Sequence, residues 1–131
     1  MVLKQVTRGP RYAVFAVASD SGKCELLDFC KRLSRDNPGA RDKIVAFLDR
    51  AAERGTPTNP EQFRPIRGSS GLYEFKPKPF RVLCFFDGAR VIICTHAFKK
   101  KKNIKGEIRF AERRKAEYFG AKERGGLSIE E

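Results

Sequence analysis

Two apolar runs, Phe80–Phe86 (FRVLCFF) and Arg90–Phe98 (RVIICTHAF), stand on either side of Asp87-Gly88. Val, Ile and Phe suit a pleated surface, and Asp-Gly between such runs is a strong short-range hairpin signal. A third run, Leu72–Lys76 (LYEFK), precedes them, so an antiparallel meander is expected from Leu72 to Phe98. With a two-residue loop, Arg81 falls opposite Cys94. The two-residue period of a strand then places Arg81, Cys94 and His96 on one sheet face and Cys84 on the other.

Arg11–Ala18 (RYAVFAVA) reads as another strand, because it is rich in Val, Phe and Tyr and too short for a helix that must end at Asp20-Ser21-Gly22. Leu26, Cys30 and Leu33 recur at helical spacing, with Asp20 or Ser21 available as cap. A second helix is marked more fully: Asn37 caps, Pro38 takes the first position, and Ala40, Ile44, Phe47, Leu48 and Ala51 share a face before Gly55. Thr56–Gly71, with three prolines and two glycines, reads as a loop. Lys105–Phe119 has helix-forming composition, with Ile104, Ile108 and Ala111 at helical spacing. The fold class is therefore α+β: a small antiparallel sheet in β-α-α-β-β-β-α order, an N-terminal helical hairpin and a basic C-terminal helix. A single domain over 1–131 is expected, with 121–131 as a flexible tail.

Charge then narrows the partner. The chain carries net +12, divided as 11 basic against 8 acidic residues up to Phe63 and 17 against 8 from Arg64 onward. An excess of this sign favours a polyanion through counterion release. Cys24, Cys30, Cys84 and Cys94 show no Cys-x-x-Cys spacing, and His96 is the only histidine, so neither a metal nor another cofactor is expected. No apolar run reaches the roughly 18 residues of a membrane span, and a cytoplasmic protein with reduced thiols packed as small hydrophobes is expected.

The titratable residues of the basic half are the candidates for chemistry. RNA brings its own nucleophile, the 2′-hydroxyl, so a metal-free nuclease needs a proton acceptor, cations around the phosphorane-like charge and a donor to the leaving oxygen. Glu74, Arg81, His96 and Tyr118 are residue types for the reaction, and Arg67, Lys76, Lys99, Lys100 and Lys101 are types for holding phosphates. Each has a plainer reading: Glu74 in a cross-strand ion pair with Arg81, His96 as a hydrogen-bonded strand residue, the lysines as a solvated run, Tyr73 and Phe75 as core.

Leu72-Tyr73-Glu74-Phe75-Lys76, Arg81-Val82-Leu83-Cys84-Phe85-Phe86-Asp87-Gly88 and His96-Ala97-Phe98-Lys99-Lys100-Lys101, followed by the basic segment Glu107–Tyr118, resemble the phage-derived HigB-like branch of the RelE/ParE toxin superfamily. Ala97 stands where that pattern has Gly, Lys76 where it has Arg, and Asn103–Gly106 is a shorter link. The resemblance implies a RelE-like fold and the toxin of a type II toxin-antitoxin system. It further implies an endoribonuclease that cuts mRNA on the ribosome, with a helix-turn-helix antitoxin as second partner. In that scheme Arg81 stabilises transition-state charge, Glu74 or His96 handles protons, Tyr118 is a further catalytic candidate, and Lys76 with Lys100 or Lys101 binds phosphate. Two other readings stand beside it: a ParE-like gyrase poison, and a non-catalytic basic RNA-binding module.

Overall fold

The computed structural model describes residues 1–130, which form seven strands and three helices. These are β1 (Val2–Arg8), β2 (Ala13–Ala18), α1 (Glu25–Asp36), α2 (Pro38–Arg54), β3 (Phe63–Pro65), β4 (Tyr73–Phe75), β5 (Phe80–Phe86), β6 (Val91–Lys99), α3 (Lys105–Glu123) and β7 (Ser128–Glu130). One sheet of order β3-β4-β5-β6-β2-β1-β7 joins all seven strands, antiparallel except for the β2/β6 and β1/β7 pairs. Apolar side chains cover both faces. On one, Val14, Ala16, Phe75, Val82, Cys84, Ile92 and Cys94 meet α1 and α2; on the other, Phe15, Val17, Leu83, Phe85, Ile93 and Phe98 meet α3.

The second helix forms where its signals fall. The Asn37 side chain accepts from the Ala40 amide, Pro38 opens the helix, and Ile44, Leu48 and Ala51 are buried. The first helix begins later than expected, at Glu25 with Cys24 as its cap and no side-chain cap bond. Asp20 and Ser21 are spent in a turn instead, in which the Lys23 amide donates to the Ser19 hydroxyl and Gly22 takes φ +89°.

Three strands fall outside the expected order. β1 is half-buried and mixed in polarity, and it pairs with β2 through a register shift between Gln5 and Thr7. β3 is a three-residue edge strand inside the expected loop, ending at Pro65, which an edge tolerates. β7 lies in the stretch expected to be a flexible tail; α3 runs on to Glu123, Gly125 turns the chain at φ +69°, and Ser128–Glu130 pair with β1. Residue 131 lies outside the described residues.

The hairpin register also differs from expectation. The turn is wider than two residues, since the Asp87 amide donates to the Val91 carbonyl and Phe86 pairs with Ile92. Cys84 and Cys94 therefore sit opposite one another on the α1/α2 face rather than on opposite faces. Both thiols are free and pushed up by burial, as are those of Cys24 and Cys30.

Candidate functional site

After Cys84/Cys94 the ladder resumes at Leu83/His96, leaving Thr95 as an extra residue on β6. A bulge of this kind re-aims every side chain beyond it. Arg81 now pairs with Phe98, not with Cys94, and Glu74, Leu83 and His96 form one row across β4, β5 and β6. Glu74, Arg81 and His96 thereby share the α3 face. Two strand spacings separate Glu74 from His96, about 10 Å, with Arg81 one repeat nearer the Lys99–Lys102 end.

Two hydrogen-bonded networks meet here. In the first, the buried Glu74 carboxylate is held by Arg81 Nε at 3.1 Å and by Arg64 Nε at 3.0 Å. Arg81 is itself buried and donates Nη1 to the Phe80 carbonyl at 3.0 Å, and Nη2 has no partner among the described residues. Arg64, half-exposed on β3, opens this network to solvent.

In the second, His96 Nε2 lies 2.9 Å from Glu107 Oε1, and Nδ1 lies 3.0 Å from the Thr95 hydroxyl. Lys101 pairs with the other Glu107 oxygen. The imidazole stacks on Phe98 at 5.4 Å and meets the edge of Phe110 at 4.7 Å, and the Lys101 ammonium lies over the Phe98 ring. Burial pushes the imidazole down from its ordinary value, and Glu107 only partly offsets it. Glu107 feels burial in the opposite sense, yet Lys101 and His96 outweigh it and hold its carboxyl below the ordinary value. A neutral imidazole facing a carboxylate donates Nε2–H to Glu107, which leaves Nδ1 as an acceptor beside the Thr95 hydroxyl, whose one proton is shared between Nδ1 and the Leu83 carbonyl at 3.3 Å.

The depressed value has a consequence for stability. Because the unfolded chain binds the proton at about pH 6.5 and the folded one does not, the contribution of His96 is full above that pH and is lost as pH falls through its folded value. Glu107 adds a second loss further down, within the carboxylate range. Denaturant melts between pH 7.5 and 4 are expected to show stability falling in both windows for the wild type and only in the lower one for His96→Asn. Equal slopes between pH 7 and 5.5 in the two proteins refute this account.

The other expected site residues are placed as follows. Lys99, Lys100 and Lys101 are exposed where β6 leaves the sheet, with the Lys100 amide fixed on the Pro79 carbonyl at 2.8 Å. Lys76 is buried beside the first network and donates to the Pro60 carbonyl at 3.2 Å; burial first, then Arg64, pushes its ammonium down. Arg67 is exposed on the loop after β3. Tyr118 does not join the cluster: its hydroxyl donates to Asp87 at 2.6 Å, and its ring packs on Phe85. Asp87 stands six residues along from Arg81, about 20 Å of strand, so Tyr118 braces the hairpin turn. Sequence reasoning passed over Arg64, Thr95 and Glu107. Only Glu107 had a signal, an acid in the first turn of a basic helix. Among the described residues no group of three His, Cys, Asp or Glu side chains is gathered to hold a metal, and no helix is long and apolar enough to cross a membrane.

A family model described as phage-derived protein Gp49-like (DUF891) matches residues 31–116, a span that contains α2, the whole meander and the first half of α3. Comparison with curated protein sequences gives no match. Among solved structures, the YoeB dimer from Staphylococcus aureus superposes with a TM-score of 0.52 at 12% identity, over 70% of this chain and 99% of that one. At that identity the likeness concerns the fold alone.

Proposed function

The chain belongs to the phage-derived Gp49-like family, and from that premise we propose that it is a RelE-like toxin of a toxin-antitoxin pair, acting as a metal-independent endoribonuclease on mRNA. The observation that carries the reading is the Thr95 bulge. Without it His96 would lie on the opposite face from Arg81; with it, a carboxylate, a guanidinium and an imidazole from three strands share one face at the lysine-rich end.

The 2′-hydroxyl attacks the adjacent phosphorus, the bond to the 5′-oxygen breaks, and a 2′,3′-cyclic phosphate and a free 5′-hydroxyl result. Glu74 and His96 are assigned the two proton transfers, one taking the 2′-hydroxyl proton and the other returning one to the 5′-oxygen. Arg81 offers its free Nη2 to the phosphorane-like charge, and Arg64 stands beside it at the solvent edge. Lys99, Lys100 and Lys101 contact neighbouring phosphates. The ribosome as the place of cutting, a helix-turn-helix antitoxin as inhibitor and a cytoplasmic location belong to the same proposal.

One observation favours a second reading. Both nitrogens of His96 and both oxygens of Glu74 already have protein partners, as they would in a basic module that only holds RNA. Induced expression separates the possibilities. The wild-type chain is expected to stop growth and shorten cellular mRNA, and His96→Asn is expected to relieve both. Arrest with intact mRNA and a DNA-damage response is the result of a gyrase poison, and arrest unaffected by His96→Asn that of a binding module.

A further inference from the structure

Lys76 leads away from the reacting face to a second feature. Lys76, 6% exposed as a residue, lines a cleft of about 290 Å³ between α2 and the segment before β3, with Lys43, Phe47, Asn59, Gln62 and Lys78 in the lining. That volume is at the lower end for ligand pockets and suits one small unit rather than a folded partner. The cleft adjoins the first network, since Lys76 is the next residue beyond the Phe75/Val82 pair and Arg81 is the next on the facing strand.

Its chemistry is that of a nucleotide site. Three ammonium groups meet a single carboxylate, Glu61, which pairs with Lys78 at 3.0 Å. Lys43 is steered inward by its bond to the Lys78 carbonyl at 3.0 Å. The surplus positive charge lacks a counterpart until an anion arrives. Phe47, half-buried, presents a ring on which any base can stack. The Gln62 side-chain amide has no hydrogen-bond partner among the described residues, and Asn59 uses only Oδ1, on the Glu61 amide at 2.9 Å, which leaves its NH₂ group free. Free amide groups beside a ring are the means by which a base edge is read.

We propose that this cleft is a nucleotide subsite next to the scissile phosphate: Lys43, Lys76 and Lys78 hold the neighbouring phosphate of single-stranded RNA, Phe47 carries its base, and Gln62 with Asn59 sets the base preference. The proposal rests on the endoribonuclease reading and deepens it. The cleft is then the origin of sequence bias in cutting, while the reacting face supplies the rate.

Two measurements test it. Cleavage positions are mapped in cellular mRNA after induction of wild type and of Gln62→Ala, and binding of a short single-stranded oligoribonucleotide to purified wild type and Lys43→Gln/Lys78→Gln is followed by fluorescence anisotropy across a range of salt. Gln62→Ala is expected to reduce base discrimination at one position flanking the cut by about tenfold. The lysine variant is expected to bind about tenfold more weakly and to lose about one to two from its salt slope. These three side chains are at the surface, and unchanged thermal melts confirm that the variants fold. If wild type cuts mRNA but both variants keep its cleavage map and its affinity, the subsite is overturned while the enzyme stands. If wild type cuts nothing yet the lysine variant binds more weakly, the cleft stands as an RNA site and the endoribonuclease reading falls; no cutting and no change in binding overturn both.

Discussion

Arg81→Ala is expected to lower kcat for RNA cleavage by about 10²–10³-fold, the loss of about 2.7–4 kcal/mol that follows removal of one preorganised donor, and saturating RNA is not expected to restore it. The reason is where the side chain is held. Arg81 lies within β5, buried, with Nε on Glu74 and Nη1 on the Phe80 carbonyl, so Nη2 is aimed before substrate arrives. A rigid fork spends nothing on reorganisation as charge develops. Lys100 is the contrast. Its backbone is pinned to Pro79, while its side chain is exposed and makes no hydrogen bond among the described residues, so it acts as a mobile point charge. Lys100→Ala is expected to raise KM, to recover at saturating RNA and to lower the salt slope by about one. Full recovery of Arg81→Ala at saturation, or none for Lys100→Ala, reverses the two roles and moves the reacting centre to the lysine run.

How much of this was legible in the sequence depended on whether a signal was local. α2 was marked by contiguous cues, Asn37, Pro38 and Gly55, and formed where they fall. β5 and β6 were marked by composition and lie within a residue of expectation. Register was not legible, because it rests on the width of one turn and on a bulge, and Thr95 looks like any other strand residue until Cys84/Cys94 and Leu83/His96 are seen as successive pairs. The grouping of Arg81 with His96 survived only because the wider turn and the bulge both shift the ladder, and the same shifts moved Cys94 to the other face. Arg64 was hidden by the three prolines around it, and its role depends on the three-residue pairing of β3 with β4. Tyr118 was misplaced for a different reason: helical spacing gives a residue's face and not its distance along the sheet, and α3 carries it to the hairpin turn.

Replacing the Glu74/Arg81 pair as a whole distinguishes an ion pair kept for chemistry from one kept for folding. Both side chains are buried, at 4% and 6% of full exposure, where desolvation offsets much of the attraction between them. Removing one partner strands the other, which costs about 3–5 kcal/mol in buried pairs. The two single losses are not expected to be equal. In Arg81→Met the carboxylate of Glu74 keeps Arg64, whereas in Glu74→Met the guanidinium of Arg81 keeps only the Phe80 carbonyl, so Glu74→Met is the more damaging change. The double variant Glu74→Met/Arg81→Met leaves no buried charge of the pair behind; Arg64 alone loses its partner, and that side chain is half-exposed to solvent, while flexible apolar side chains fill the space against Leu83 and Phe98. Equilibrium denaturation is expected to return it to wild-type stability or above, while cleavage of RNA is lost altogether. That combination, a stable fold without activity, assigns the pair to the reaction. A double variant as unstable as Glu74→Met alone makes the pair a structural element of the sheet, and one that still cuts RNA removes both residues from the mechanism and leaves His96, Glu107 and Lys101 to account for it.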